Sequence, residues 1–97
     1  MLFAVTLLDR PGADALRDAT SAAHRDFVAA HAARMLLGGP LTDESGTRNI
    51  GSLIILEART EAEARALLTE EPYCKAGVFE QVILRPFRPV LHNPELI

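Results

Sequence analysis

Three histidines, one cysteine and thirteen Asp and Glu residues supply the groups in this 97-residue chain that move protons, bind metals or attack carbonyls. His24 is the leading one. It lies in a segment from about Ala13 to Arg34 that is rich in Ala, Leu and Arg and lacks Gly and Pro, and therefore reads as a long helix. At about 100° per residue, Arg17, Thr20, His24, Phe27, Val28, His31 and Met35 fall on one side of it. That side mixes apolar and polar residues, whereas a purely structural helix buries a cleaner stripe. An imidazole there serves as a general acid or base once a carboxylate fixes its tautomer, and Asp9 and Glu71 are both candidates. The competing role is a satisfied core histidine.

His31 follows His24 by seven residues, about 10 Å along a helix, too far for both rings to bind one metal ion. His92 sits in a Pro-rich tail and reads as solvated. Cys74 has no activating base beside it in sequence and reads as buried filler. One thiol and three dispersed histidines give no metal-ligand spacing, so no metal and no cofactor are expected. Asp9, before Arg10-Pro11-Gly12, is a turn former by type and a second carboxylate by chemistry. Gly38-Gly39-Pro40 lacks the phosphate-loop pattern and reads as a turn. Tyr73 offers a hydroxyl to a ligand or a ring to the Pro72 turn.

The elements that must position these groups follow from pattern. Met1 to Leu8 is an apolar first strand, too short to span a bilayer and without a cationic start or cleavage site. Met35-Leu-Leu37 reads as a short second strand and Thr42 to Asn49 as a polar loop. Ser52-Leu-Ile-Ile-Leu-Glu57 is almost continuously apolar, as expected of a strand covered on both faces. Thr60-Glu-Ala-Glu63 has the form of a capping box, which starts a second helix running through Leu68. Gln81 to Arg85 supplies the fourth strand. The order βαββαβ predicts an α+β, ferredoxin-like domain, a four-stranded antiparallel sheet with two helices on one face.

Ninety-seven residues fit one domain, with a core over about 1–87 and a tail over 88–97. A net charge of −3 with no basic run speaks against nucleic acid as a partner, and nothing suggests a membrane, so a cytoplasmic location is expected. So small a core gains from burying a further face, which makes a homodimer the expected assembly.

Several segments together resemble the YciI-like (YCII-related) family. Asp9-Arg10-Pro11-Gly12 resembles its D-K/R-P-G, His24 its early helix histidine, Leu36 to Leu41 its L-L-x-G-P-L, and Gly51-Ser52 its G-S. Glu71-Pro-Tyr-Cys-Lys-Ala-Gly-Val-Phe-Glu80, leading to Arg85-Pro86-Phe87, resembles D-P-Y-x-x-A-G-x-[FY]-E and the strand that follows it. Two positions depart from the pattern. Glu71 stands where the family has Asp, which keeps the carboxylate but lengthens its reach, and Ser21 stands where an Arg is common. The resemblance implies a dimeric α+β barrel, built like muconolactone isomerases and small heme-free monooxygenases, with a pocket between helix and sheet. It also implies a histidine–carboxylate centre, and one relative is linked to dehydrochlorination of an aromatic ring.

The reading is therefore a cofactor-independent enzyme of lyase, dehydrochlorinase or isomerase type acting on a small cyclic or aromatic molecule. His24, Asp9 and Glu71 are its expected catalytic groups, and Gly39, Pro40, Ser52 and Tyr73 its expected substrate-binding groups. The alternative is a non-catalytic, small-molecule-binding or accessory dimeric module that uses the same pocket.

Overall fold

The computed structural model describes residues 1–97. Its elements run β1 (Leu2–Asp9), α1 (Asp14–His31), a 3₁₀ turn (Ala32–Arg34), β2 (Met35–Thr42), β3 (Asn49–Glu57), α2 (Glu61–Thr69), α3 (Pro72–Ala76) and β4 (Phe79–Phe87). The four strands form one sheet in the order β2-β3-β1-β4 with every pair antiparallel, the ferredoxin-like arrangement expected from the pattern. Residues 88–97 form neither helix nor strand.

Alternation places Phe3, Val5 and Leu7 of β1 on the helix side of the sheet, and all three are buried. They meet Leu56, Leu84, Ala64 and Leu68 in the main core, so β1, β3 and β4 close against α2. Thr60 caps α2 by accepting the Glu63 N–H, as the capping box predicts. The Glu63 carboxylate takes the Arg59 N–H and the side chains of Arg59 and Arg34, which hold it below the usual carboxylate range.

The other helix is placed differently. α1 buries only Arg17 fully, and His24, Phe27 and Val28 are half-buried, so α1 covers the β2–β3 half of the sheet without filling it. The side of α1 singled out by periodicity is the inward one: each residue named there is buried or half-buried.

β3 and β4 are longer than expected, starting at Asn49 and Phe79, and three further departures bear on the site. Gly38-Gly39-Pro40 is not a turn but the middle of β2, where Gly38, Gly39 and Pro40 pair with Ile54, Leu53 and Ser52. β2 is an edge strand, so the missing N–H of Pro40 breaks no second ladder, and β3 supplies the pairing that local sequence does not suggest. The long helix ends at His31 rather than Arg34, through a tighter final turn. Glu71-Pro72-Tyr73 opens a third helix, α3, with Glu71 as N-cap, Pro72 in the first turn and Gly77 at φ 79° closing it.

Candidate active site

The cavity follows from what α1 does not fill. On the helix side of β2 and β3 stand Gly38, Pro40 and Ser52, and side chains this small leave a space of about 490 Å³ beneath α1. His24, Val28 and Arg17 form its roof. Met35, Gly38, Gly39, Pro40, Asn49, Ser52 and Ile54 line the sheet side, and Tyr73 of α3 closes one end.

His24 and Glu71 meet here. The His24 Nδ1 lies 2.6 Å from the Glu71 Oε1, although the two residues are 47 positions apart in the chain. Glu71 is buried, and its other oxygen accepts the Cys74 N–H at 3.1 Å as the cap of α3. One carboxylate therefore both starts the helix that carries Tyr73 and fixes the imidazole, so the cap locks the orientation of the pair. With Nδ1 engaged, a neutral His24 carries its hydrogen there and presents Nε2 as a free acceptor. The imidazole stacks on Tyr73 with ring centroids 4.1 Å apart and planes at 16°.

Asp9 does not join this pair. It binds Arg17, taking the Nε hydrogen at 2.6 Å and an Nη2 hydrogen at 3.1 Å. Arg17 Nη2 also donates to the Gly51 carbonyl at 3.0 Å and to Ser52 Oγ at 3.3 Å, and its guanidinium lies 4.8 Å from the Tyr73 ring centre. Burial pulls the Arg17 guanidinium down, but the Asp9 carboxylate and the Tyr73 side chain outweigh it and leave it raised. Gly51 is required at its position, since a Cβ there would run into the Leu7 carbonyl oxygen. Arg17 thus ties the first turn, α1 and β3 together.

Of the expected site residues, His24, Tyr73, Ser52, Gly39 and Pro40 line one cavity, while Glu71 stands behind His24 and Asp9 behind Arg17. Arg17 itself was not among them. Its signal was available: it precedes His24 by seven residues on the same inward side of the helix, where an arginine needs a buried partner. His31 stands outside the lining, tilted against Phe27 at 4.4 Å. Arg48 pairs with Asp14 next to Asn49, pinning the β2–β3 loop to the start of α1.

Burial, with the Glu71 carboxylate close by, pushes the Cys74 thiol up to about 12. At neutral pH it is a protonated thiol and a poor nucleophile, as its sequence context suggests. Iodoacetamide should label Cys74 in the folded protein far more slowly than in urea, as read by mass spectrometry. Equal rates would show that the side chain is not enclosed as described.

Residues 1–88 match the YCII-related domain. The chain belongs to that family. Among solved YCII-like structures, 5-chloro-2-hydroxyhydroquinone dehydrochlorinase (TftG) from Burkholderia phenoliruptrix AC1100, in complex with 2,5-dihydroxybenzoquinone, is 32% identical with a TM-score of 0.86. That match covers 91% of this chain and 94% of the other. Protein Atu4242 from Agrobacterium tumefaciens shares the fold at 17% identity and a TM-score of 0.55, over 97% and 98% of the two chains. Comparison with curated proteins gives no match. No helix of this YCII-related chain is long and apolar enough to cross a membrane. No group of three or more His, Cys, Asp and Glu side chains stands close enough to hold a metal ion.

Proposed function

We propose that this YCII-related protein is a cofactor-independent enzyme that acts on a small hydroxylated ring by acid–base chemistry at His24. The observation that carries the reading is the His24–Glu71 pair at 2.6 Å on the wall of a ring-sized cavity, with Nε2 left free. Nε2 accepts a proton from an acidic O–H or C–H of the ring, and Glu71 stabilises the imidazolium that results. In the keto form of the ring, where the carbon bearing the leaving group has gained a hydrogen, the electron pair left behind expels an anion such as chloride; otherwise it shifts and takes the proton back at another ring atom. The first outcome is a lyase or dehydrochlorinase reaction and the second an isomerase reaction. The likeness to TftG, which acts on a chlorinated hydroquinone, supports the ring and the leaving group. Chloride release from substituted hydroquinones by the wild-type and His24→Asn proteins tests the reading, and no turnover of any such ring by the wild type would overturn it.

A homodimer belongs to the same proposal. On the sheet face away from the helices, Leu37, Leu53 and Phe87 are 43%, 39% and 42% exposed in the single chain. Ala4, Thr6, Ile55 and Ile83 lie between them by register. A second copy packed face to face covers this surface, and so small a domain gains stability from that burial. Light scattering should give twice the 10.6 kDa of the chain. A stable monomer at micromolar concentration would rule the arrangement out.

A further inference from the structure

We propose that Arg17, Ser52 and Tyr73 form an anion-receiving site beside His24, so that the substrate is an acidic hydroxylated ring bound with one oxygen ionised. The proposal rests on the acid–base reading of His24 for what happens to the ring, but not for how the ring is held.

The argument comes from counting hydrogens. Arg17 has five N–H groups, and its bonds to Asp9, Gly51 and Ser52 use Nε and Nη2 only. The one further partner is the Tyr73 hydroxyl, a single acceptor, so the two Nη1 hydrogens are not both used within the chain. Arg17 lines the cavity, with its side chain 9% exposed. The Tyr73 hydroxyl stands beside the Arg17 guanidinium, which it helps to keep raised, and as an acceptor there it keeps its own hydrogen to donate, on a residue that is buried and lines the cavity. Ser52 Oγ already accepts from Arg17, which leaves its own hydrogen to donate. Three side chains with a hydrogen to give therefore line one space.

Charge agrees with the count. The two buried carboxylates stand behind the lining, Asp9 on Arg17 and Glu71 on His24, and no Asp or Glu side chain lines the cavity. A ligand meets donors first. Asp9 keeps Arg17 fixed and charged without occupying Nη1, so the guanidinium is preorganised for a second acceptor. His24 and Arg17 both lie against Tyr73, at 4.1 and 4.8 Å, so the imidazole and the guanidinium stand at the same end of the cavity. Val28, Met35 and Ile54 supply the apolar wall for the ring itself.

The test compares two quinones of nearly equal shape. 2,5-Dihydroxybenzoquinone is a vinylogous acid that ionises, whereas 2,5-dimethylbenzoquinone cannot. The wild type should bind the first more tightly by ~10²-fold or more, as read by fluorescence or absorbance titration. Ser52→Ala removes one donor while leaving the Arg17–Asp9 bonds, and should weaken the dihydroxy ligand by ~10-fold without changing the dimethyl ligand. Arg17→Lys should reduce the preference further, and Ser52→Ala keeps the test valid if the lysine variant does not fold. Equal binding of the two quinones by the wild type, or unchanged preference in Ser52→Ala, would overturn the anion site. His24→Asn separates the two ideas: normal turnover there would end the acid–base reading while the preference for the anion stood.

Discussion

His24→Asn should lower turnover of a hydroquinone substrate by ~10²–10⁴-fold, the usual contribution of a positioned acid or base. Asn is neutral at every working pH and has no nitrogen that can take a proton in place of Nε2. The loss should fall mainly on kcat, because the ring is held by the cavity walls and by groups other than His24. Thermal melts separate this from loss of fold. The imidazole is 25% exposed and Glu71 keeps its second partner, the Cys74 N–H, so the variant should remain folded. Glu71→Gln should also reduce turnover, since a neutral amide cannot stabilise the imidazolium although it can still cap α3. Near-normal kcat in His24→Asn would end the catalytic assignment and leave a binding module.

Asp9→Ala should destabilise the protein by about 3–5 kcal/mol, because it leaves the Arg17 charge buried without its carboxylate. The Asp9 and Arg17 side chains are 8% and 9% exposed, so water cannot easily replace the lost partner. Domains of this size have total stabilities of about 5–15 kcal/mol, so the variant would sit near the limit of folding. Urea denaturation at pH 7 measures it. Replacing both residues, Asp9→Leu with Arg17→Met, should cost less than Asp9→Ala alone, since neither charge then remains. A loss below about 1 kcal/mol in Asp9→Ala would mean that the pair behaves as a surface ion pair. The two carboxylates thus part company in experiment: Asp9 should be read mainly in stability, Glu71 mainly in turnover.

The arrangement behind these expectations is a repeated one. The two cationic side chains at the cavity, Arg17 and His24, each have a carboxylate behind them, and each carboxylate is tied to a neighbouring element. Asp9 is at the end of β1, and its Arg17 partner reaches β3; Glu71 caps α3, and its His24 partner reaches up to α1. The site is therefore assembled by the same bonds that join the secondary structure, which is why its geometry should survive conservative changes in the apolar lining.

Local pattern by itself determined much of this protein. The apolar run from Met1 to Leu8, the capping box at Thr60 and the mixed inward side of the first helix are short-range signals, set by backbone geometry and solvation within a few residues. The segment motifs, from Asp9-Arg10-Pro11-Gly12 to Glu71-Pro72-Tyr73, also pointed to the family and to the histidine. What the sequence left open was which carboxylate serves it. Asp9 lies nearer to His24 along the chain than Glu71 does, so distance in sequence favours the wrong partner. The tertiary structure decided for Glu71 because the α2–α3 corner brings residue 71 under α1, while Arg17, two turns earlier, claims Asp9. Gly38-Gly39-Pro40 shows the same limit. Its local chemistry favours a turn, but pairing with Ile54, Leu53 and Ser52 comes from a strand beyond the following loop and overrides it. The cavity exists because that strand offers almost no side chain to the helix above, a property of two elements together that neither displays alone.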